Sequence, residues 1–344
     1  MNRVFEFAKE LSLLDGISSR EENVRNYIIE KIKNEDTVSY IVDNLGNLIV
    51  EKKGDKTPKN KIMIDAHMDE VGLIVCYITS DGLLKVHSVG GINEKVLLGR
   101  TVKVNGLTGV IGIKPVHLTD KDKSKDIPKI DDLYVDIGAE SHEEAEKYAS
   151  LGDSIEFDSD WCEFGENGEY IKVKALDDRL GCAVMLDMIL SEQEYDLTFT
   201  FTVQEEVGCR GAITATNRVE PDYAIALECT TASDISGISG EKKVCSLNGG
   251  AVVSFMDGGT VYLKDLYRTA MDIAKENGIK AQTKTMIAGG NNASQIHKAS
   301  CGVKCLSVSV PCRYLHSPSC VVKKSDVEDV KNLVQKLIME FAND

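Results

Sequence analysis

The hydrophobic pattern of the chain starts with helical spacing and changes to strand spacing after about residue 37. Apolar side chains at Phe5, Ala8, Leu11 and Leu14 predict an amphipathic helix. Ser18-Ser-Arg-Glu21 has the form of a capping box and predicts that a second helix begins there. Short apolar runs then predict three strands, at residues 38–42, 48–51 and 61–66.

Residues 71–164 have a different pattern from the segments on either side. Short β-rich runs alternate with glycines at close intervals, which is typical of a small barrel or sandwich. The segment also holds a lysine- and aspartate-rich loop, Thr119–Asp132, and a short helix that begins after Ser141. We therefore predict a discontinuous main domain, residues 1–70 and 165–344, with an inserted β-rich domain at residues 71–164.

Strands and helices alternate again after residue 170. A buried strand beginning at Phe199 stops at two adjacent carboxylates, Glu205 and Glu206. Residues 180–190 have the pattern of an amphipathic helix, and Ser325-Asp-Val-Glu328 predicts a capping box for the final helix. Further strands are predicted at residues 172–176, 223–227 and 303–310, and further helices at 212–217 and 261–277. This alternation predicts an α/β fold with a mixed central sheet flanked by helices.

Composition narrows the class of protein. The 344 residues carry a formal net charge of −15, which disfavours nucleic acid and anionic membranes as partners. The apolar runs are too short to span a bilayer, and residues 1–9 lack the apolar region of a signal peptide. Ten cysteines without a Cys-x-x-Cys spacing are typical of reduced thiols. We therefore expect a cytoplasmic protein.

Residues that can bind a metal follow five of the predicted strands. Open α/β sheets bind ligands beyond the carboxyl ends of their strands, so we expect these side chains to converge. The five residues are His67, Asp177, Glu206, Glu228 and His316. Two imidazoles and three carboxylates suit Zn²⁺, Co²⁺ or Mn²⁺.

If one carboxylate bridges two metals, each metal keeps one histidine and one further carboxylate. Glu205 then remains free to act as a general base beside the ligand Glu206. Taken singly, each of the five residues has an ordinary explanation as a turn or surface residue. The other histidines, His87, His117, His142 and His297, are interpreted in that ordinary way.

Several motifs resemble one known family. Members of the glutamyl/deblocking aminopeptidase family, which are co-catalytic zinc enzymes, carry similar motifs along essentially the whole chain. The motifs are Ala66-His-Met-Asp-Glu-Val-Gly72, Ala175-Leu-Asp-Asp-Arg-Leu-Gly-Cys182, Val203-Gln-Glu-Glu-Val-Gly208, Gly289-Gly290 and Arg313-Tyr-Leu-His-Ser-Pro318. The resemblance implies a zinc-peptidase-like fold with two divalent ions per chain, zinc first and cobalt or manganese as alternatives.

The resemblance also implies a role for each site residue. His67 and Glu228 would bind one ion, Glu206 and His316 would bind the other, and Asp177 would bridge them. Glu205 would be the base. Asp69 would orient the His67 ring, and Asp178 would follow Asp177 through a cis peptide bond. The inserted domain would supply much of the subunit interface of a homo-oligomer, with twelve chains forming a hollow tetrahedral (TET-type) dodecamer.

Two positions depart from the family pattern. Glu228 stands where aspartate is common, and Asn291-Asn292 stands where many relatives have Thr-Asp. The second change removes a carboxylate next to the site, so no preference for a particular N-terminal residue is carried over from relatives.

We therefore predict a metal-dependent aminopeptidase that acts on short peptides. One alternative is an endoglucanase, a label that some family members carry. That reaction needs two carboxylates and no metal, so it leaves His67 and His316 unexplained. The other alternative is a metal-binding or scaffold protein without turnover. Glu205, a carboxylate with no metal to bind, argues against it.

Overall fold

The computed structural model describes residues 3–115 and 127–344. His117 and the larger part of the loop Thr119–Asp132 lie outside these ranges. The eight helices of the described residues are α1 (Arg3–Ser12), α2 (Glu22–Ile32), α3 (His142–Ala145), α4 (Leu176–Ile189), α5 (Arg210–Val219), α6 (Lys264–Glu276), α7 (Ala293–Ile296) and α8 (Lys324–Asn343).

The strands of the described residues form a large sheet, a barrel and a small sheet. They are β1 (Val38–Val42), β2 (Leu48–Lys52), β3 (Ile62–His67), β4 (Gly72–Ile78), β5 (Leu84–Val89), β6 (Thr101–Val104), β7 (Leu107–Ile113), β8 (Leu133–Asp136), β9 (Ser154–Phe157), β10 (Cys162–Phe164), β11 (Tyr170–Val173), β12 (Leu197–Thr202), β13 (Tyr223–Thr231), β14 (Ala251–Val253), β15 (Ala281–Thr283), β16 (Lys304–Cys312) and β17 (Cys320–Lys323).

The large sheet is mixed, as predicted. Its order is β1-β2-β12-β3-β13-β16-β14-β15, and the adjacent strands β12, β3, β13 and β16 are parallel. Thr202 is paired with His67, so β12 and β3 end at the same level. The parallel strands are buried on both faces, as expected where helices cover a sheet. Their carboxyl ends therefore meet at one edge, and that edge carries the site.

The predicted β-rich insertion contains a closed barrel. Six strands close in the order β4-β5-β8-β7-β6-β9 around an aliphatic core that includes Leu73, Val102 and Val135. The following strand, β10, pairs with β11, which pairs with β17 in a separate three-stranded sheet. The fold class is therefore the one predicted, whereas the domain boundaries at residues 71 and 164 stay a prediction.

Helix α4 differs from its prediction. Every residue from Leu176 to Ile189 is buried, because the helix is packed between α1 and the sheet strands β3 and β13. A helix with neighbours on all sides needs no polar face, so the prediction of an amphipathic helix was wrong. The buried helix begins with Asp177 and Asp178, and it fixes these carboxylates against the end of the sheet.

Both predicted capping boxes are also wrong. Neither helix receives a side-chain cap: α2 begins after Glu21 and α8 begins after Lys323. The Ser18 hydroxyl instead donates to Asp69 (2.6 Å). The Asp326 carboxylate accepts the N–H groups of a neighbouring loop. These polar side chains support tertiary contacts rather than helix ends.

In the described part of the chain, every helix is too short or too polar to cross a lipid bilayer. All ten cysteines are free thiols, and seven of them are buried, in agreement with the expectation from the sequence.

Candidate metal centre

The five residues predicted as metal ligands lie together at the edge of the sheet, but two of them arrive there differently than expected. His67 is the last residue of β3, and Glu206 and His316 lie in the loops that follow β12 and β16. Glu228 lies inside β13 rather than at its end. Asp177 follows β11, a strand of the small sheet, so the prediction that all five follow strands of one sheet was wrong for these two residues.

Asp177 lies between the two histidines. Its Oδ1 atom is 3.6 Å from Nε2 of His67, and its Oδ2 atom is 3.5 Å from Nε2 of His316. Nε2 of His67 is also 3.8 Å from Oε2 of Glu228, and Nε2 of His316 is 3.3 Å from Oε1 of Glu206. Each imidazole therefore faces one oxygen of Asp177 and one glutamate, the arrangement expected of a bridging carboxylate between two ions.

Asp178 also belongs to this group of side chains. The peptide bond between Asp177 and Asp178 is cis, as the family resemblance implies. His67, Asp178 and Glu228 each offer one ligand atom within 4.8 Å of the others. Asp178 Oδ1 accepts the N–H of Gly181 (3.0 Å), while the buried Oδ2 has no hydrogen-bond partner among the described residues. A carboxylate oxygen without a partner beside an imidazole fits a site for a divalent cation.

Burial and mutual repulsion act on the carboxylates of the site. Burial raises the pKa values of Glu206 and Glu228 well above the usual range, and the charge of Asp177 adds to the effect at both. The pKa of Asp178 is raised in the same way. Asp177 differs, because hydrogen bonds from His316 and His67 outweigh its burial and lower its pKa. Divalent cations would supply the positive charge that these crowded carboxylates require.

The two histidines show the complementary effect. Burial lowers the pKa of His316, but the hydrogen bond to Asp177 and the charge of Glu206 outweigh it and raise the pKa to about 10. Burial opposes the shift at His67 too, yet Asp177 and Asp69 raise its pKa well above the usual value. A metal ion at Nε2 would replace that proton, since both are attracted by the same carboxylates.

Asp69 connects His67 with the two adjacent glutamates. Its Oδ1 and Oδ2 atoms accept the N–H groups of Glu205 (2.9 Å) and Glu206 (3.1 Å). Nδ1 of His67 lies 3.0 Å from the main-chain oxygen of Asp69 and 3.4 Å from its Oδ1 atom. The main chain therefore makes the shorter contact with the ring, while the side chain holds the turn that carries the glutamates.

Glu205 points into the cleft that the metal-binding side chains line. Its Oε1 atom accepts a hydrogen bond from the Cys209 thiol (3.2 Å). Burial raises the pKa of Glu205, and the charge of His67 opposes this shift. A buried carboxylate with a raised pKa and no other basic partner is suited to accept and return a proton.

Sequence reasoning missed Asp65 and the role of Asn292. Asp65 lies two residues before His67 in β3, so the period of a strand places both on one face, and this signal was available. The Asn292 amide donates to Asp65 Oδ2 (2.7 Å) and to Thr202 Oγ1 (2.8 Å), and its N–H lies 3.4 Å from Oε1 of Glu228. Asn292 therefore supports the site through its amide hydrogens.

A buried ion pair below the site was missed as well. Glu70 Oε1 accepts from Lys174 Nζ (2.7 Å) and from Arg179 Nη2 (3.2 Å). Arg179 is fully buried and also donates to main-chain oxygens, including those of Leu11 and Met68. These contacts hold helix α1 and the segment after β3 against helix α4. Only the three-dimensional fold places these residues near one another.

Three histidines with an ordinary interpretation are described. His142 contacts a main-chain oxygen of β4 and pairs with Glu146, and His297 contacts an oxygen of its own helix. His87 is exposed and contacts the adjacent main-chain oxygen of Ser88. In the described ranges, none of the three lies in a group of potential metal ligands.

With this geometry described, known proteins can be compared with the chain. The sequence model of the M42 glutamyl aminopeptidases matches residues 46–333. The chain belongs to the M42 glutamyl aminopeptidase family. A protein of Acetivibrio thermocellus is 36% identical over 97% of both chains. The glutamyl aminopeptidase of Lactococcus lactis is 31% identical over 97% of this chain and 96% of its own. The lysyl aminopeptidase of Pyrococcus furiosus is 31% identical over 98% and 97%.

Solved structures agree with this assignment. A TET aminopeptidase from a marine sediment Thaumarchaeota archaeon superposes with a TM-score of 0.93 at 32% identity, covering 99% of this chain and 98% of its own. The TET1 peptidase of Pyrococcus horikoshii, which can assemble into a tetrahedron or a large octahedral shell, gives 0.84 at 37% identity, covering 97% and 98%. A Thermotoga maritima structure named endoglucanase gives 0.80 at 35% identity, covering 98% and 97%. This M42 member is therefore an aminopeptidase, and the endoglucanase name belongs to a protein of the same fold.

Proposed function

We propose that this M42 aminopeptidase removes N-terminal residues from short peptides with two divalent metal ions. The observation that carries the proposal is Asp177, whose two oxygens each face a different histidine. His67 and Glu228 would hold one ion, Glu206 and His316 the other, and Asp177 both. Zinc suits this set of nitrogen and oxygen ligands, with cobalt or manganese as alternatives.

When bound, the ions would polarise the scissile carbonyl, activate water and anchor the free amino group of the peptide. Glu205 would take a proton from that water and give it to the leaving amine. The Asp69 carboxylate would hold Glu205 and Glu206 in place through their N–H groups. The Cys209 thiol would orient the Glu205 carboxylate through its hydrogen bond.

The two alternatives predicted from the sequence explain less of this geometry. A glycoside hydrolase needs two carboxylates flanking a sugar, and it has no role for two histidines that share an aspartate. A scaffold that only stores metal has no use for Glu205, a buried carboxylate that lies in the same cleft as the ligands.

Metal removal tests the proposal directly. Protein freed of metal with a strong chelator should lose its peptidase activity and regain it with Zn²⁺, Co²⁺ or Mn²⁺, while cellulase activity stays absent throughout. Peptidase activity in protein shown by metal analysis to contain no ion would overturn the proposal.

Counting bound ions tests the assignment of Asp177. His316→Ala removes a ligand of one ion, so one ion per chain should remain bound. Asp177→Ala removes the shared ligand, so both ions should bind more weakly. Equal metal content in the two variants would mean that Asp177 is not the bridge.

Assembly is the second part of the proposal. The barrel exposes large apolar side chains, among them Tyr77, Leu107 and Val110, that are suited to a subunit interface. A solved structure of PhTET1 contains a dodecamer. We propose a homo-oligomer of twelve chains in the cytoplasm, whose closed shell admits short peptides and excludes folded proteins. A monomeric mass in solution for the active protein would contradict it.

A further inference from the structure

The preferred N-terminal residue of the substrate is the next question, and this inference rests on the proposed aminopeptidase function. Beside the metal-binding side chains lies a cleft of about 340 Å³. Asp177, Glu205 and Glu228 line one part of it, and Lys284 also lines it. A peptide bound at the metals would therefore place its first side chain in a cleft that also holds a lysine.

Lys284 is 91% buried, since only 9% of its surface is exposed. The main chain around it is fixed, because its N–H donates to the oxygen of Val253 (3.1 Å) and the N–H of Thr285 donates to that of Val244 (2.9 Å). Among residues 3–115 and 127–344, its ammonium group has neither a hydrogen-bond partner nor an ion-pair partner. Burying a cation without a partner costs free energy, so a ligand that supplies the partner recovers part of that cost.

The carboxylates near Lys284 are already engaged. Burial raises the pKa of the Cys245 thiol to about 12, the charge of Asp234 adds to this, and the charge of Lys284 opposes it, so both charges lie close to one thiol. Asp234 accepts two hydrogen bonds from Arg313 (2.6 and 2.8 Å).

Asp326, whose charge also acts on Cys245, accepts the N–H groups of Asn248 (2.7 Å) and Gly250 (2.9 Å). Both nearby carboxylates are therefore committed to other donors. An anion for Lys284 has to arrive from outside the chain.

The walls of the cleft fit a short acidic side chain. Met286 and Leu315 offer apolar surface for methylene groups, and Thr230 and Ser233 add hydroxyl groups. A cleft with apolar walls and a few polar groups fixes the orientation of its ligand. We propose that Lys284 is a specificity-determining residue that binds the side-chain carboxylate of an N-terminal glutamate or aspartate.

A peptide offers a second carboxylate, at its C-terminus. Aminoacyl p-nitroanilides lack that group, so a preference for glutamate measured on them belongs to the side chain. Glutamate and glutamine have nearly the same shape and differ in charge, so the ratio of their kcat/KM values isolates the effect of Lys284.

The experiment compares Glu-, Gln-, Leu- and Lys-p-nitroanilide with metal-loaded enzyme. The wild type should prefer Glu to Gln by about 10- to 100-fold, the range for a hydrogen bond to a charged group. Lys284→Met should bring the ratio close to one while leaving cleavage of the Leu substrate within a few fold. The control, Lys243→Met, removes an exposed charge next to the cleft residue Val244 and should keep the wild-type ratio.

The outcomes separate this inference from the proposed function. A metal-loaded wild type that cleaves none of the substrates, nor the corresponding dipeptides, overturns the aminopeptidase proposal. Cleavage without a preference for Glu over Gln, or a preference that survives in Lys284→Met, overturns only the role of Lys284. If Lys284→Met does not fold, inhibition of the wild type decides: free glutamate should inhibit at least about tenfold more strongly than glutamine. Equal inhibition would overturn the role of Lys284.

Discussion

The barrel and the central sheet bury very different side chains. Between residues 72 and 157, Glu156 is the only buried polar or charged side chain in the described part of the chain. The carboxyl edge of the sheet instead buries a dense group of ionisable side chains, which includes His67, Asp177, Asp178 and Glu228. One region closes on itself around aliphatic residues, and the other accumulates charge that needs an external cation.

Glu156 shows where the two regions meet. Ile155 and Phe157, its neighbours in β9, belong to the barrel core, so Glu156 points to the opposite face. Its pKa responds to Asp15 and Glu70, which lie outside the barrel. The single buried charge of the barrel thus belongs to its contact with the sheet region. The comparison teaches that a buried charge in this fold marks a site or a contact between its two parts.

The largest effect is expected from the base of the site. Glu205→Gln keeps the size of the side chain but removes its capacity to accept a proton, so kcat should fall by about 100- to 10,000-fold. Metal content should stay at the wild-type value, because Glu205 is not proposed as a ligand. Glu220→Gln, an exposed glutamate at the end of α5, is the matched control and should keep its activity. Near-normal turnover in Glu205→Gln would make Glu205 an ordinary buried acid.

A smaller effect is expected at Asp69. Asp69→Asn places an amide where two N–H groups now donate, so at least one of the contacts to Glu205 and Glu206 is lost. The main-chain oxygen of Asp69 still faces His67. Metal affinity should therefore fall by about 10- to 100-fold, mainly for the ion assigned to Glu206 and His316.

Competition with a chromophoric chelator measures the two ions of Asp69→Asn separately. Ser18→Ala, which removes one donor to Asp69 and leaves the carboxylate, should have a weaker effect on metal affinity. Equal weakening of both ions in Asp69→Asn would mean that Asp69 acts through His67 after all.

The smallest effect is on stability, at the contact between barrel and sheet. Burial raises the pKa of Glu156 from 4.5 to about 7. An acid with a higher pKa in the folded state destabilises the fold as pH rises from 4.5 towards 7. Glu156→Gln should therefore raise the free energy of unfolding by about 1–3 kcal/mol at pH 8 and by less at pH 5.

Denaturant unfolding at the two pH values measures this difference. Glu140→Gln, an exposed barrel glutamate, should change stability by less than about 0.5 kcal/mol at both. A gain for Glu156→Gln that is equal at pH 5 and pH 8 would show that its charge is not the cause.

Local patterns in the sequence were reliable where the partner of a residue lies close in the chain. Alternation and glycine spacing predicted the barrel strands, and parallel strands with helices predicted the mixed sheet. The capping boxes failed because Ser18 and Glu21 have distant partners. The Ser18 hydroxyl binds Asp69, and Glu21 accepts the N–H of Gln204 (3.1 Å). Local spacing cannot reveal that a polar side chain has a stronger partner elsewhere.

The sequence by itself determined the types of ligand, their order and the family motifs that contain them. Only the tertiary structure decided that Asp177 faces both histidines, that Asp69 holds the glutamate turn and that Lys284 shares a cleft with Glu205. These contacts join residues that are far apart in the chain, and the packing of α4 and the parallel register of the sheet bring them together. Which charge a substrate must supply depends on which buried charges remain unpaired, and pairing is a property of the folded chain.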